Sequence, residues 1–452
     1  MVPRRVREEI ALPIRRSIAA AAVTGAAVIA LAPAAQAVDY PPPAKPTGGT
    51  GKPTGPFRTL KVCKGHKKTC FPTIQAAVNK AAPGDTIKVG HGIYKEGVRI
   101  SGAKKRYIKL IGDPKAPGKV VLEAKGMKKK VANGVLINGA DEVTVNGFTA
   151  RHFTANGFFV TNVTGYTLTN LKAFLVGVYG VYAFNSIGGT ITNSEAAWNS
   201  DSGFYIGQTP PQTKPVRTIV RGIRAYGNVL GWSGTNMRYV TITASKFYNN
   251  GTGVVPNALS TEKYAPPEDN VITGNDIFWN NYNYYAGAPF KVGTHASDAT
   301  AYPVGVGVLL FGSRTTSITG NRIFGNWLAG AGMVQQFLLS KLPDAMDLIG
   351  NSISGNDFGL AGADLNGRDI VYDGNGSNNC VGPNTGVQST VPADASTMPP
   401  CPFTGANAFS SAVQQELIGW ALDGTHEAFM LPHDHAPQPG LTPLLHYNGG
   451  VS

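Results

Sequence analysis

Four glycines, Gly134, Gly157, Gly180 and Gly203, stand 23 residues apart. The segments behind them align without gaps as Val135-Leu136-Ile137-Asn138, Phe158-Phe159-Val160-Thr161, Val181-Tyr182-Ala183-Phe184 and Phe204-Tyr205-Ile206-Gly207. Strand side chains alternate between faces, so the first and third residues of each set form one apolar ladder. A second ladder, Val145, Leu168 and Ile191, keeps the same step. Asn170 and Asn193 recur at a turn position, where Asn accepts the left-handed backbone of a tight bend. A looser unit follows in Thr243–Asn250, Thr273–Phe278, Thr319–Phe324 and Ile349–Ser354, at intervals of 30, 46 and 30 residues. The 46-residue interval reads as two 23-residue turns, and the others as turns that carry insertions. Periods of this size mean a solenoid or an array. The leucine framework of leucine-rich repeats and helical periodicity are both missing, which leaves a parallel β-helix of several short strands per turn.

Composition agrees with an all-β chain. Of 452 residues, 56 are Gly and only 15% are charged, which excludes a coiled coil, while an apolar share of 42% excludes wholesale disorder. Charge is uneven: residues 51–130 carry a net +16 and residues 131–452 a net −6. Clusters such as Lys104-Lys105-Arg106 and Lys128-Lys129-Lys130 serve either as a solvated face or as a hold on an anionic polymer. The basic block has few aromatics for base stacking, which argues against nucleic acid.

Residues 1–37 combine a basic start, an apolar run from Ile18 to Ala32 and an Ala35-Gln36-Ala37 cleavage pattern, the signature of a secretory signal. The run is short for a membrane span and no later segment supplies one, so the expected product is exported without an integral anchor, extracellular or wall-associated, and monomeric. Residues 38–56 read as a Pro/Gly linker. Four cysteines in an exported chain favour disulfides, and the local pairs Cys63 with Cys70 and Cys380 with Cys401 need the least rearrangement. Ile74 to Val78 has helical apolar spacing, Pro83-Gly84-Asp85 breaks it, and Thr86-Ile87-Lys88-Val89 reads as a strand.

Thr73–Val78, Pro83–Val89 and Gly92-Ile93-Tyr94-Lys95-Glu96-Gly97-Val98 look like the N-terminal cap and first coil of a known group. Asp201–Gln208, Ala225-Tyr226-Gly227-Asn228 and Asp373–Cys380 look like its recurring stretches. With these segments the chain resembles secreted, actinobacterial right-handed parallel β-helix proteins of the pectate-lyase-like superfamily with NosD-like repeats. The resemblance spans residues 57–402 and implies fold; for function it implies a tendency toward polysaccharides. The expected architecture is a right-handed parallel β-helix of roughly ten coils. A short helix near 73–81 would cap its N-terminus, and residues 403–452 would supply a C-terminal cap near Ser410 to Leu422 and a tail.

Defined enzyme motifs are incomplete. Gly90-His91-Gly92 has the letters of a polygalacturonase motif without its acidic partners, and Pro432-His433-Asp434-His435 resembles an alginate-epimerase motif but lacks the first Asp. Asp373, Asn375, Ser377 and Asn379 alternate like calcium ligands, yet the Gly and the acidic residue that a calcium loop needs are replaced by Asn378 and Asn384, so a Gly/Asn turn at the end of the solenoid is the preferred reading with a weak calcium site as the alternative, and no other cofactor is expected.

The outward position after each repeat glycine reads Leu136, Phe159, Tyr182, Tyr205, an aromatic column that fits a sugar ring unless a loop covers it. Two insertions, roughly 256–270 and 281–304, bring Glu262, Lys263, Tyr284, Tyr285 and His295 toward it. Elimination beside a uronate would use Tyr205 or His295 as base and Lys263 as cation. Hydrolysis would use Asp201 and Glu262, two carboxyls about 5 to 9.5 Å apart. A wall-associated or adhesin-like binding module would use Phe159, Tyr182, Tyr205, Tyr284 and Tyr285 without chemistry.

Overall fold

The computed structural model of the chain describes residues 51–65, 69–285, 287–290, 302–339, 345–360 and 365–422. The expected signal at 1–37, most of the linker, His295 and the tail after Leu422 lie outside the described residues.

Each coil contributes three strands. One coil runs through Asn156–Thr161 and then Thr164–Phe174, which bends at Asn170; the next runs through Val181–Phe184, Ile187–Thr192 and Glu195–Ala197. Every pairing between these strands is parallel, at the 23-residue step that the glycines announce. The first strands of successive coils form an 11-stranded sheet from Val98–Ser101 to Thr390–Val391, and the second and third strands form a 20-stranded sheet around the corner. The result is a right-handed parallel β-helix, as expected.

The repeat glycines are explained by crowding. A Cβ on Gly134 would stand 2.5 Å from the Gly157 carbonyl oxygen, one on Gly157 2.6 Å from that of Gly180, and one on Gly180 2.5 Å from that of Gly203. The column continues through Gly231, where the same Cβ would lie 2.6 Å from the Gly253 oxygen. Behind it, Val135, Phe158, Val181, Phe204, Trp232, Val254, Val308, Ala331 and Ile370 point inward in register, each at most 1% exposed. Burying such a ladder in every coil is the main apolar driving force for the stack.

Two details of the repeat differ from expectation. The 46-residue interval is one coil, not two, because Thr273 pairs directly with Thr319 and the extra residues lie between Phe278 and Val306. Thr319 pairs in turn with Ser354, so Ile349-Gly350-Asn351 belongs to the preceding corner, where Arg314 bridges Ile349. The cause is that Gly350 and Gly355 both take left-handed φ, 67° and 68°, so a Gly-Asn pair marks a bend without saying which bend.

Inside the corners run buried asparagine ladders. Asn199, Asn228, Asn250, Asn280 and Asn326 each pass a side-chain amide hydrogen bond to the Oδ1 of the next, at 3.0 to 3.1 Å, and the ladder ends on Asn366. Asn275, Asn321, Asn356 and Asn384 form a second ladder, and Asn351, Asn379 and Asn407 a third.

The N-terminal helix, Ile74–Lys80, buries Ile74, Ala77 and Val78 against the first coils. Thr73 caps it, the Glu96 carboxylate accepts from the N–H groups of Ile74 and Gln75, and Lys105 donates to the carbonyls of Val78, Asn79 and Ala81. Both expected disulfides form, Cys63–Cys70 and Cys380–Cys401. The C-terminal helix, Ser411–Leu422, buries Val413, Leu417 and Trp420 on the outward side of the last coils beside Val371, with Arg368 4.4 Å above the Trp420 ring.

Candidate functional site

The outward row of the 11-stranded sheet runs in register through Leu136, Phe159, Tyr182, Tyr205, Ser233 and Val255, then Leu309, Gly332 and Val371. Leu136, Phe159 and Tyr182 are half-buried, whereas Tyr205 is 4% exposed and Val255 fully enclosed. The first insertion closes the row at Tyr205. Glu262 takes a hydrogen bond from the Tyr205 hydroxyl and another from Asn236 Nδ2 at 3.3 Å. Asn236 and Leu259 exchange two more, and the Lys263 N–H donates to Gln208 Oε1 at 2.9 Å. Gln208 and Asn236 sit in left-handed bends at the ends of their strands, with φ of 47° and 49°, which aims them at the loop.

The second insertion returns to the same face. Tyr284 is buried over Gly251, where its ring leaves no space for a Cβ, and its hydroxyl donates to that of Tyr285 at 3.1 Å. Tyr285 remains 41% exposed.

The column differs from the flat platform expected. Phe159 and Tyr182 stack face to face, 4.4 Å between centroids and 6° between planes, and Tyr205 meets Tyr182 edge-on at 4.8 Å. Neighbouring rings therefore spend much of their faces on each other, and the Tyr205 hydroxyl is taken by Glu262. Tyr179, unanticipated because it precedes the repeat glycine, packs on both Tyr182 and Tyr205 at 4.7 and 4.6 Å. A second column, Tyr226, Tyr248, Phe278 and Phe324, stacks on another face at 4.9 to 5.2 Å.

Burial pushes the Glu262 carboxyl up to about 8, against the opposing pull of the Tyr205 and Asn236 donors. Burial, reinforced by Glu262, holds the Tyr205 phenol well above its ordinary value. Tyr179 and Tyr182 are raised by burial and further by the charges of Asp201 and Glu262, so both carboxyls act electrostatically on the same two phenols. Asp201 accepts from Ser202 Oγ at 2.6 Å. A phenol so strongly protonated donates hydrogen bonds, and the role of base expected for Tyr205 finds no support in this environment. Lys263 is exposed and joins the cluster through its backbone, so the cation expected beside a uronate is not among these contacts.

Residues 133–391 match the family described as a right handed beta helix region. The chain belongs to that family. Among solved structures, this β-helix is similar to the A-modules of two mannuronan C-5 epimerases of Azotobacter vinelandii. For AlgE4 the identity is 17%, with 75% of this chain and 95% of that one covered at a TM-score of 0.51. For AlgE6 the identity is again 17%, with coverage of 70% and 90% at 0.48. The pectate lyase Pel9A is similar at 15% identity over 85% of this chain and 88% of that one, at 0.36. At such identities the likeness carries the fold alone. No curated protein sequence matches the chain.

Proposed function

We propose that this β-helix is an exported glycan hydrolase in which Glu262 is the general acid and Asp201 its carboxylate partner. The observation that carries the reading is the Glu262 carboxyl, bonded to Tyr205 and Asn236 on the outward sheet face and pushed up to about 8, with the Asp201 charge acting on the same two phenols, Tyr179 and Tyr182, as its own. A carboxyl of that kind still holds its proton at neutral pH and can deliver it to a glycosidic oxygen. Once it has done so, Tyr205 and Asn236 are already aimed at the new carboxylate and stabilise it without rearrangement. Asp201 would support the developing positive charge on the sugar or activate water. The half-buried Phe159, Tyr182 and the exposed Tyr285 would line the chain path. The similar epimerases and lyase act on polysaccharides by their names, which is consistent with a glycan partner.

Two disulfides and the absence, among the described residues, of a helix long and apolar enough to cross a membrane are compatible with export. The basic N-terminal face would hold the protein, as a monomer, to an anionic wall polymer. A non-catalytic module is the second reading, favoured by the fact that the bonds from Tyr205, Gln208 and Asn236 also pin the insertion in place.

The test is incubation of the protein with acidic and neutral polysaccharides, following new reducing ends and ultraviolet-absorbing unsaturated ends. Glu262→Gln should lower reducing-end release about 100-fold or more, with little change in unfolding midpoint. Unsaturated ends would replace hydrolysis by elimination. Silence in both assays, with sugar binding that Tyr182→Ala abolishes, would leave the binding module.

A further inference from the structure

On a different face of the solenoid, outside the bend at Asn170, Asn193, Gly222 and Ala244, lies a cleft of about 430 Å³. Its charged lining is Lys172, Glu195, Arg224 and Lys246, with Pro114 and Pro117 nearby. These charges belong to a register row, Lys172, Glu195, Arg224, Lys246, Asp276, Arg322 and Asp357, one residue per coil. The row alternates in sign except at one step: Arg224 and Lys246 stand directly opposite each other, inside the cleft. Like charges in that relation are unfavourable unless something anionic sits between them.

The neighbouring carboxylates do not cancel this excess. Glu195 is shared by Arg224 at 3.0 Å, Lys172 at 3.2 Å and the Tyr226 hydroxyl at 2.6 Å. Asp276 is held by Arg322 at 2.6 Å and reaches Lys246 only at 3.6 Å. The Arg224 and Lys246 side chains remain 56% exposed. From Lys172 to Lys246 is three coil steps, roughly 14 Å at the spacing of stacked strands, which is an extended track and not a point site. Its wall carries the amides of Asn170 and Asn193, and its lining holds no aromatic on which a base could stack.

We propose that this cleft is a binding site for an acidic oligosaccharide, with Arg224 and Lys246 taking one sugar carboxylate between them and Lys172 a second further along. The site uses none of Asp201, Tyr205 or Glu262, so it stands whether or not the hydrolase reading does. It would give the protein a hold on a uronate-bearing chain separate from the site where glycan is cleaved.

The experiment is calorimetric titration of the full chain with a galacturonate pentamer, with cellopentaose and inorganic sulfate as controls. The pentamer should bind, more weakly as salt is added. Arg224→Gln and Lys246→Gln should each weaken binding about tenfold, the loss of one charge-assisted hydrogen bond. Glu262→Gln should leave it unchanged. Lys246 is exposed and only loosely paired, so its variant keeps the fold even where Arg224→Gln disturbs Glu195. Unchanged affinity in Lys246→Gln, or equal binding of cellopentaose, would overturn the proposal. So would sulfate matching the pentamer, or loss of binding in Glu262→Gln, since these point to a simple anion site and to the other face respectively.

Discussion

The two halves of the solenoid solve the same stacking problem differently. From Gly134 to Gly203 the coils are equal in length, the outward row is open, and corners are served by hydroxyls such as Ser194, which accepts from the Leu171 N–H and donates to the Thr192 carbonyl, and by half-buried asparagine pairs such as Asn162 with Asn138 and Asn185 with Asn162. From Asn199 onward the coils differ in length, the outward row is closed by insertions and a helix, and the corners are filled by asparagine ladders. The difference teaches what the ladders do. Equal coils add half-buried asparagine bonds to their constant length, whereas coils that carry insertions are joined by fully buried ones that fix one coil on the next whatever lies between. The candidate site lies where the halves meet, with Tyr179, Tyr182 and Tyr205 on the equal coils and Asn236 and Glu262 on the insertion-bearing ones.

The largest effect that separates the halves is a charge placed on the outward row. Val255 is fully enclosed, so Val255→Asp buries an unpaired carboxylate and should cost about 4 kcal/mol. Leu136→Asp, at the same row position in the open half, should cost less than about 1 kcal/mol. Urea midpoints measure both, and equal losses would mean that the row is closed along its whole length.

The ladders come next. Asn280 donates to Asn326 Oδ1 and the Phe247 carbonyl, and accepts from Asn250. Asn280→Ala removes these side-chain bonds and leaves the Asn250 N–H without its Oδ1 acceptor in a dry corner, which should cost about 2 kcal/mol, against about 1 kcal/mol for Ser194→Ala. A small loss at Asn280 would show that insertion-bearing coils hold register by packing alone.

How much of this could be read from the sequence follows the same division. The open half was legible because an uninterrupted period exposes both ladders and the glycine column at once. The closed half was legible only as a family of Gly-Asn fragments, since the same pair serves different bends and the coil length is hidden by its insertion. That is why Ile349-Gly350-Asn351 and the 46-residue coil were placed wrongly. For the site, Tyr205 and Glu262 were legible as an aromatic in a column and an acid in an insertion, 57 residues apart. Gln208, Asn236 and Tyr179 were not, because their role depends on where a loop returns. The recurring asparagines at Asn228, Asn250, Asn275 and Asn321 were a readable signal of ladders that the turn interpretation overlooked.

Acid–base behaviour gives a third contrast. Glu262 keeps its proton up to about 8 in the folded protein and loses it near 4.5 when unfolded. The folded state therefore binds the extra proton between those values, so this group makes stability fall as pH rises from about 4.5 to about 8, with no further change above. Glu262→Gln should flatten that part of the profile while carboxyls elsewhere, such as the burial-raised Asp141 of the open half, contribute equally to both proteins. Tyr205→Phe removes a donor that favours the ionised carboxyl and should move the upper limit higher. Profiles of wild type and Glu262→Gln that run parallel across this range would remove Glu262 as the proton carrier.

The smallest effect concerns outward charge. In the N-terminal coils Lys61 and Lys88 face each other in register, both exposed, whereas Lys246, Asp276, Arg322 and Asp357 alternate in sign in the closed half. Exposed like charges repel weakly in water, and salt screens what remains. Lys88→Glu should therefore raise the unfolding midpoint slightly at low salt and leave it unchanged at high salt, while weakening attachment to an anionic wall polymer. Asp276→Lys should do the reverse to stability, because it replaces an alternation by a run of four cations from Arg224 to Arg322. If Lys88→Glu left both the low-salt midpoint and polymer attachment untouched, the basic row would be a solvated face and the contrast in charge layout would carry no function.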